Sequence, residues 1–196
     1  MDGFVRLEID GVITRLVPFA PRHRDDPDYL AWLRDPVVVR TLNLPDYLAA
    51  PVPAEAVRAY CDRVMASDTD LFFAIEARDP KAFVGTLKLG AVNALTRCAD
   101  VGIMIGRRDL WGRGLATDAI AACCRWAFSA GGFRRLTAGA MAINPAMIRV
   151  FEGLGFRREG CFRLHDRIWD EYCDHIHLGC MAGEFVDPAT TSRTGE

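Results

Sequence analysis

Apolar residues recur along this chain at two spacings, and the spacing changes from segment to segment. Over residues 53–67, Ala56, Val57, Tyr60, Val64 and Met65 fall on one helical stripe, and Pro53 opens that helix. Residues 112–130 repeat the pattern, with Ala116, Ala119, Ile120, Cys123 and Ala127 expected to face inward and Gly131-Gly132 to stop the helix. Shorter helices are predicted at 25–32, from Asp35-Pro36, and from Asn144-Pro145 to the glycines at 153–155. Strands are predicted at 12–17 (closed by Pro18), 71–78 and 82–92 (a hairpin about Asp79-Pro80), 99–106, 133–141, 156–164 and 173–185. Early helices, a mostly antiparallel run of strands and then β-α-β-α-β-β argue an α+β fold.

A chain of 196 residues fits one domain, expected over residues 1–185; the small, polar stretch 186–196 is expected to be a disordered tail. Half the residues are hydrophobic and 26% are charged, an ordinary globular balance. The net charge of −2 offers no basic field for nucleic acid. The N-terminus lacks the layout of a signal peptide and no apolar run nears the ~20 residues that span a bilayer, so a soluble, cytoplasmic protein is expected. Seven cysteines, odd in number and nowhere spaced C-x-x-C, read as reduced thiols and not as a disulfide framework or zinc site. His175-x-His177 puts two imidazoles on one strand face, but two histidines without a third ligand do not make a metal site, and none is expected.

The candidate chemistry lies at residues 100–122, DVGIMIGRRDLWGRGLATDAIAA. An apolar strand turns through Gly112 and Gly114 into the long helix. A helix start presents unpartnered N–H groups and partial positive charge, and glycines let the backbone approach an anion closely. The segment therefore proposes a phosphate-bearing ligand. A dinucleotide-binding turn needs an acidic residue at the end of the next strand, and FRRLTAGAM has none; a P-loop needs Gly-Lys-Ser/Thr, which is absent. A purely structural tight turn stays open on these residues alone.

Trp111-Gly112-Arg113-Gly114-Leu115-Ala116 resembles motif A of the GNAT acetyltransferases, Q/R-x-x-G-x-G/A, with Trp at the usual polar position. The W-G-x-G-x-A-T form is similar to the branch holding ribosomal-protein N-terminal alanine acetyltransferases and amino-sugar acetyltransferases. The resemblance continues through Asn144-Pro-Ala-Met-Ile-Arg-Val-Phe-Glu-Gly-Leu-Gly-Phe156 and reaches upstream to residues 29–36. It implies a mixed, mostly antiparallel sheet, splayed near its middle and flanked by helices on both faces.

It also implies roles. The acetyl-CoA pyrophosphate would lie on the backbone of Leu110, Trp111, Gly112, Arg113, Gly114, Leu115 and Ala116. The strand edge at Ile103, Met104, Ile105, Gly106 and Arg107 would pair with the pantetheine arm, the Ile105 N–H serving as oxyanion donor, and Gly102 would suit a bulge that opens the splay. Asn144 matches the residue that holds the pantetheine arm, although it also suits a helix N-cap; Arg149 matches a position facing the nucleotide, where Arg107, Arg108 or Arg113 is a further candidate. Acceptor pockets in such folds come from early helices and final strands, here about residues 29–47 and 161–173.

Two hydroxyls of the family are missing: Phe151 stands where many relatives have the tyrosine that protonates the thiolate, and Met147 where this branch often has serine. Tyr172 is the replacement acid candidate. Asp100, at the mouth of the splay, is the first candidate base, followed by His165, Asp166, Glu171 and His175. With acid–base equipment this weak, the expected acceptor is a primary amine easily made neutral: a peptide N-terminal α-amine or an amino-sugar amine ahead of a lysine side chain. The expected activity is acetyl transfer from acetyl-CoA by a monomer or homodimer. The alternative is a catalytically silent acyl-CoA-binding or regulatory module.

Overall fold

The computed structural model describes residues 7–191. Its centre is one eight-stranded sheet, built from β1 (Ile9–Asp10), β2 (Thr14–Pro18), β3 (Leu71–Arg78), β4 (Lys81–Asn93), β5 (Cys98–Ile105), β6 (Arg135–Met141), β7 (Arg157–Ile168) and β8 (Glu171–Met181). The order across the sheet is β1-β2-β3-β4-β5-β6-β8-β7. Every neighbouring pair is antiparallel except β5 and β6. That parallel step needs a crossover, which α6 (Leu115–Phe128) supplies.

Helices cover both faces. On one, α1 (Pro21–Arg24), α2 (Pro27–Arg34), α3 (Pro36–Val39), α4 (Pro45–Ala49) and α5 (Ala54–Met65) precede the third strand. Tyr29, Trp32, Leu33, Val57 and Cys61 pack there against Val17, Ala74 and Met104 of the sheet. On the other, α6 and α7 (Pro145–Gly153) bury Ala119, Ile120, Cys123, Ile148 and Phe151 against Leu16, Ile75, Leu87, Val101 and Leu136. Small residues on α6 let it sit close to the sheet; Ala121, Ala122 and Cys124 are buried as well.

The helix starts follow from Asp-Pro and Asn-Pro pairs. Asp26 accepts from Asp28 N at 2.9 Å, Asp35 from Val37 N at 2.8 Å and Asn144 from Met147 N at 3.2 Å, each beside a proline whose missing N–H costs nothing at N1. The structure moves several predicted boundaries. The helix predicted from Gly112 starts at Leu115, because Gly112 and Gly114 hold φ of 77° and 81°. The strand predicted from Val12 starts at Thr14, because Val12 and Ile13 belong to a turn pinned by Asp118. The strand predicted to end at Leu164 runs on to Ile168, and the last strand starts at Glu171 and stops at Met181, short of the predicted Phe185, so the two are closer in sequence than expected. Neither α4 nor β1 was anticipated.

Part of the expected tail is structured: Arg125 binds both oxygens of Asp187 at 2.6 and 2.8 Å, and α8 (Pro188–Thr191) follows. Residues 192–196 of that tail lie outside the described residues. The cysteines are free thiols. Complete burial pushes the Cys123 thiol up to about 12 and holds Cys124 well above the usual range, so neither serves as a nucleophile.

Candidate active site

β5 and β6 pair over three positions only, Cys98↔Arg135, Ala99↔Leu136 and Asp100↔Thr137. Beyond Asp100 the strands part while β5 stays in register with β4 through Ile105. The parting leaves one edge of β5 open. Its direction follows from the alternation of strand groups: Gly106 N donates to Val84 O on β4 at 2.9 Å, so the Ile105 N–H one residue earlier faces the open edge, as does that of Ile103. Gly102 makes no bulge; it pairs regularly with Lys88, and the irregularity lies in β4 between Gly90 and Asn93, opposite Ala99.

The open edge borders a cavity of about 1090 Å³. Beneath it, the turn into α6 carries Leu110, Trp111, Gly112, Gly114, Leu115 and Ala116. A Cβ on Gly112 would meet no protein atom within 4 Å and one on Gly114 only Ile13 Cδ1 at 3.9 Å. The glycines are needed for positive φ, and the space above them is free for a ligand. The first α6 N–H bonded to a backbone acceptor is that of Asp118, to Gly114 O at 3.0 Å, leaving those of Leu115, Ala116 and Thr117 aimed out of the helix start. Trp111 does here what a polar residue would: its indole N–H donates to Ile105 O at 2.8 Å and ties the turn to the open edge.

Ile103, Met104, Ile105, Asn144 and Phe151 line the same cavity. Asn144 is the cap of α7, with its oxygen on Met147 N; the geometry confirms that structural role. Phe151 is buried edge-on against Phe156, at 5.0 Å. Other expected residues stand apart. The N–H groups of Gly106 and Arg107 are both turned to Val84 O, and the Arg107 guanidinium is held by Asp109 at 2.7 Å. Arg113 lines a separate small hollow beside Ile13 and Arg78, and Arg149 is exposed on α7 outside the cavity. Tyr172 does not line the cavity either: it is 59% exposed near the β7–β8 turn, so the proposed acid is out of place.

Asp100 is at the fork where β5 and β6 separate, and Thr137 Oγ1 donates to it at 2.8 Å. The rest of the cavity is lined by Tyr29, Tyr47, Tyr60 and Phe72 with Arg40 and Lys88, so it takes residues from the segment 29–47 and none from 161–173. The final strands contribute His175 and His177 instead, on β8. Among the described residues no group of three or more His, Cys, Asp or Glu side chains is placed to hold a metal ion. None of their helices is long and apolar enough to cross a membrane.

Residues 15–157 match the family model for the acetyltransferase (GNAT) domain. The chain belongs to the GNAT family. It is therefore an acetyltransferase that uses acetyl-CoA. An uncharacterized N-acetyltransferase p20 from Bacillus licheniformis is 22% identical over 163 residues, 83% of this chain and 90% of that protein. Among solved structures, the ribosomal L7/L12 α-N-protein acetyltransferase RimL, in complex with coenzyme A, superposes with a TM-score of 0.77 at 17% identity, covering 89% of this chain and 98% of RimL. A spermidine N-acetyltransferase from Vibrio cholerae, in complex with CoA and spermine, gives a TM-score of 0.75 at 16% identity, covering 87% of this chain and 96% of that one. At such identities these likenesses show the fold.

Proposed function

We propose that this GNAT domain, taken as residues 1–185, transfers acetyl directly from acetyl-CoA to a protein N-terminal α-amine or an amino-sugar amine. The observation that carries this is the joining of one open strand edge, one glycine turn and one acceptor chamber in a single cavity. The N–H groups of residues 112–116 would receive the pyrophosphate, the edge at Ile103 and Ile105 the pantetheine arm, and the Ile105 N–H the thioester oxygen. Positioning of amine and thioester supplies much of the rate in such a direct transfer.

The acceptor class follows from charge. Among the described residues Asp100 is the one carboxylate lining the cavity, which also presents Arg40, Lys88 (paired with Asp70 at 3.8 Å) and several aromatic rings. A polyamine with several ammonium groups carries more charges than the one lining carboxylate can match. A single amine carried beside neutral or acidic groups has no such conflict. An α-amine is also about one-tenth neutral at pH 7, a lysine amine less than a thousandth. The silent acyl-CoA-binding reading keeps one observation in its favour: Phe151 and Met147 bring no hydroxyl to the cavity.

The test is an amine panel (N-terminal peptides, nucleotide-linked amino sugars, internal-lysine peptides, spermidine) followed by release of the CoA thiol. The expected result is kcat/KM at least tenfold higher for one of the first two classes than for spermidine or lysine. Preference for spermidine or lysine contradicts the acceptor assignment. Binding of CoA with no transfer to any amine establishes the silent module.

A further inference from the structure

We infer that Asp166 and His175 form a proton-accepting dyad for the acceptor amine, His175 as the base and Asp166 as its positioning residue; this rests on the N-acetyltransferase reading above. Four observations converge on it. His175 Nδ1 lies 2.6 Å from Asp166 Oδ2. Asp166 is 1% exposed, and its other oxygen, Oδ1, is buried with no hydrogen-bond partner among the described residues, so the carboxylate depends on the imidazole for a donor. With Asp166 as the accepting carboxylate, the imidazole donates from Nδ1 and Nε2 keeps a free lone pair. On β6, Gly139 makes room for the ring: a Cβ there would overlap His175 Nε2, so the imidazole packs against the Gly139 backbone, within the lining of the cavity.

The local backbone serves this placement. β7 and β8 shift register between Phe162 and Asp166, and Leu164 takes φ of 52°, held by its N–H donating to Asp174 Oδ1 at 2.9 Å. A bulge of this kind re-aims a side chain, here delivering Asp166 to the imidazole across the hairpin. A positive φ at a leucine persists only where the surroundings impose it.

The dyad is on the sheet face that carries Asp100, where the acceptor enters. As the amine nitrogen bonds to the thioester carbonyl carbon, its proton passes to His175 Nε2. The C–S bond breaks with its electron pair on sulfur, the thiolate takes a proton from solvent, and the imidazolium returns its own to solvent. The products are the acetamide and CoA thiol. The titratable groups around His175 are Asp166 and His165 on β7 and His177 on β8, with Asp100 and Tyr47 on the cavity wall; β6 presents Gly139 and Met141, which do not titrate.

The experiment compares wild type, His175→Gln, Asp166→Asn and Asp100→Asn with one accepted amine, recording kcat/KM against pH and CoA affinity by calorimetry. On the acid side, log kcat/KM should approach a slope of two in wild type, from ammonium and imidazolium, and a slope of one in His175→Gln. His175→Gln should lower kcat about 10²- to 10⁴-fold. Asp166→Asn should lower it at least tenfold, with CoA affinity within twofold of wild type in both. Should His175→Gln not fold, restoration of rate by added imidazole in His175→Ala carries the same answer. An unchanged slope and rate in His175→Gln, or loss of one ionisation in Asp100→Asn instead, overturns the dyad alone. A wild type that binds CoA but acetylates no amine overturns both the dyad and the reading on which it rests.

Discussion

His23 shows how a single buried group ties this fold to pH. It packs among Phe19 and Phe83, and its Nδ1 accepts from Ala20 N at 3.1 Å. Burial, with Arg22 nearby, lowers its pKa to about 4. The native state therefore resists protonation while the unfolded chain accepts a proton near 6.5, so stability is full above that value and falls as pH drops from about 6.5 towards 4. The loss reaches at most about 3 kcal/mol. Thermal melts of His23→Gln should be flatter across this window than those of wild type; equal slopes contradict the assignment. Gly112 separates folding from ligand binding. Its φ of 77° makes Gly112→Ala cost about 1 kcal/mol, while the added methyl projects into the ligand's space. Calorimetry should show CoA affinity falling at least tenfold with melting shifted by only a few degrees. Unchanged affinity contradicts the turn's role. Gly112 and Gly114 were legible in the sequence because only glycine adopts their backbone freely. The Asp166–His175 contact was not, because a bulge between Phe162 and Asp166 breaks the period-two rule by which partners across a hairpin are counted.

At the scale of elements, Asp118 joins the start of α6 to the β1–β2 turn. Its carboxylate accepts from Val12 N (2.8 Å), Ile13 N (3.0 Å), Thr14 N (2.8 Å) and Thr14 Oγ1 (2.6 Å). Asp118→Ala leaves these donors unmatched in a partly buried turn and should lower stability by about 3 kcal/mol, read by chemical denaturation. A loss under 1 kcal/mol contradicts the clamp. The same side chain explains why residues 12 and 13, β-branched and apolar, read as strand yet form a turn: a residue more than a hundred positions away captures their N–H groups. Elements opened by Asp-Pro or Asn-Pro were readable, since cap and proline are local signals. α4 was missed because Leu44 makes no side-chain cap, and five residues set no period. Val186 and Asp187 read as tail because their partners, Leu154 O and Arg125, are remote in sequence.

For the whole molecule, one parallel step in an otherwise antiparallel sheet is what makes the site. The α6 crossover brings β6 beside β5, and their pairing ends after three positions, opening the edge that a fully paired sheet would hide. This gap was an expectation of the family resemblance, carried by the glycine turn, the Asn144 helix and the strand predicted from Phe156. Of the cavity's remaining wall only the segment 29–47 was expected; the parts from α5 and β8 were not, because elements remote in sequence meet around one space without a fixed spacing. The most direct measurement is a crystal structure of the chain grown with CoA. The account requires the pyrophosphate on the N–H groups of residues 112–116 and the pantetheine arm along Ile103 and Ile105 between β5 and β6. Coenzyme seated anywhere else, or crystals in which it never binds at saturating concentration, would contradict it.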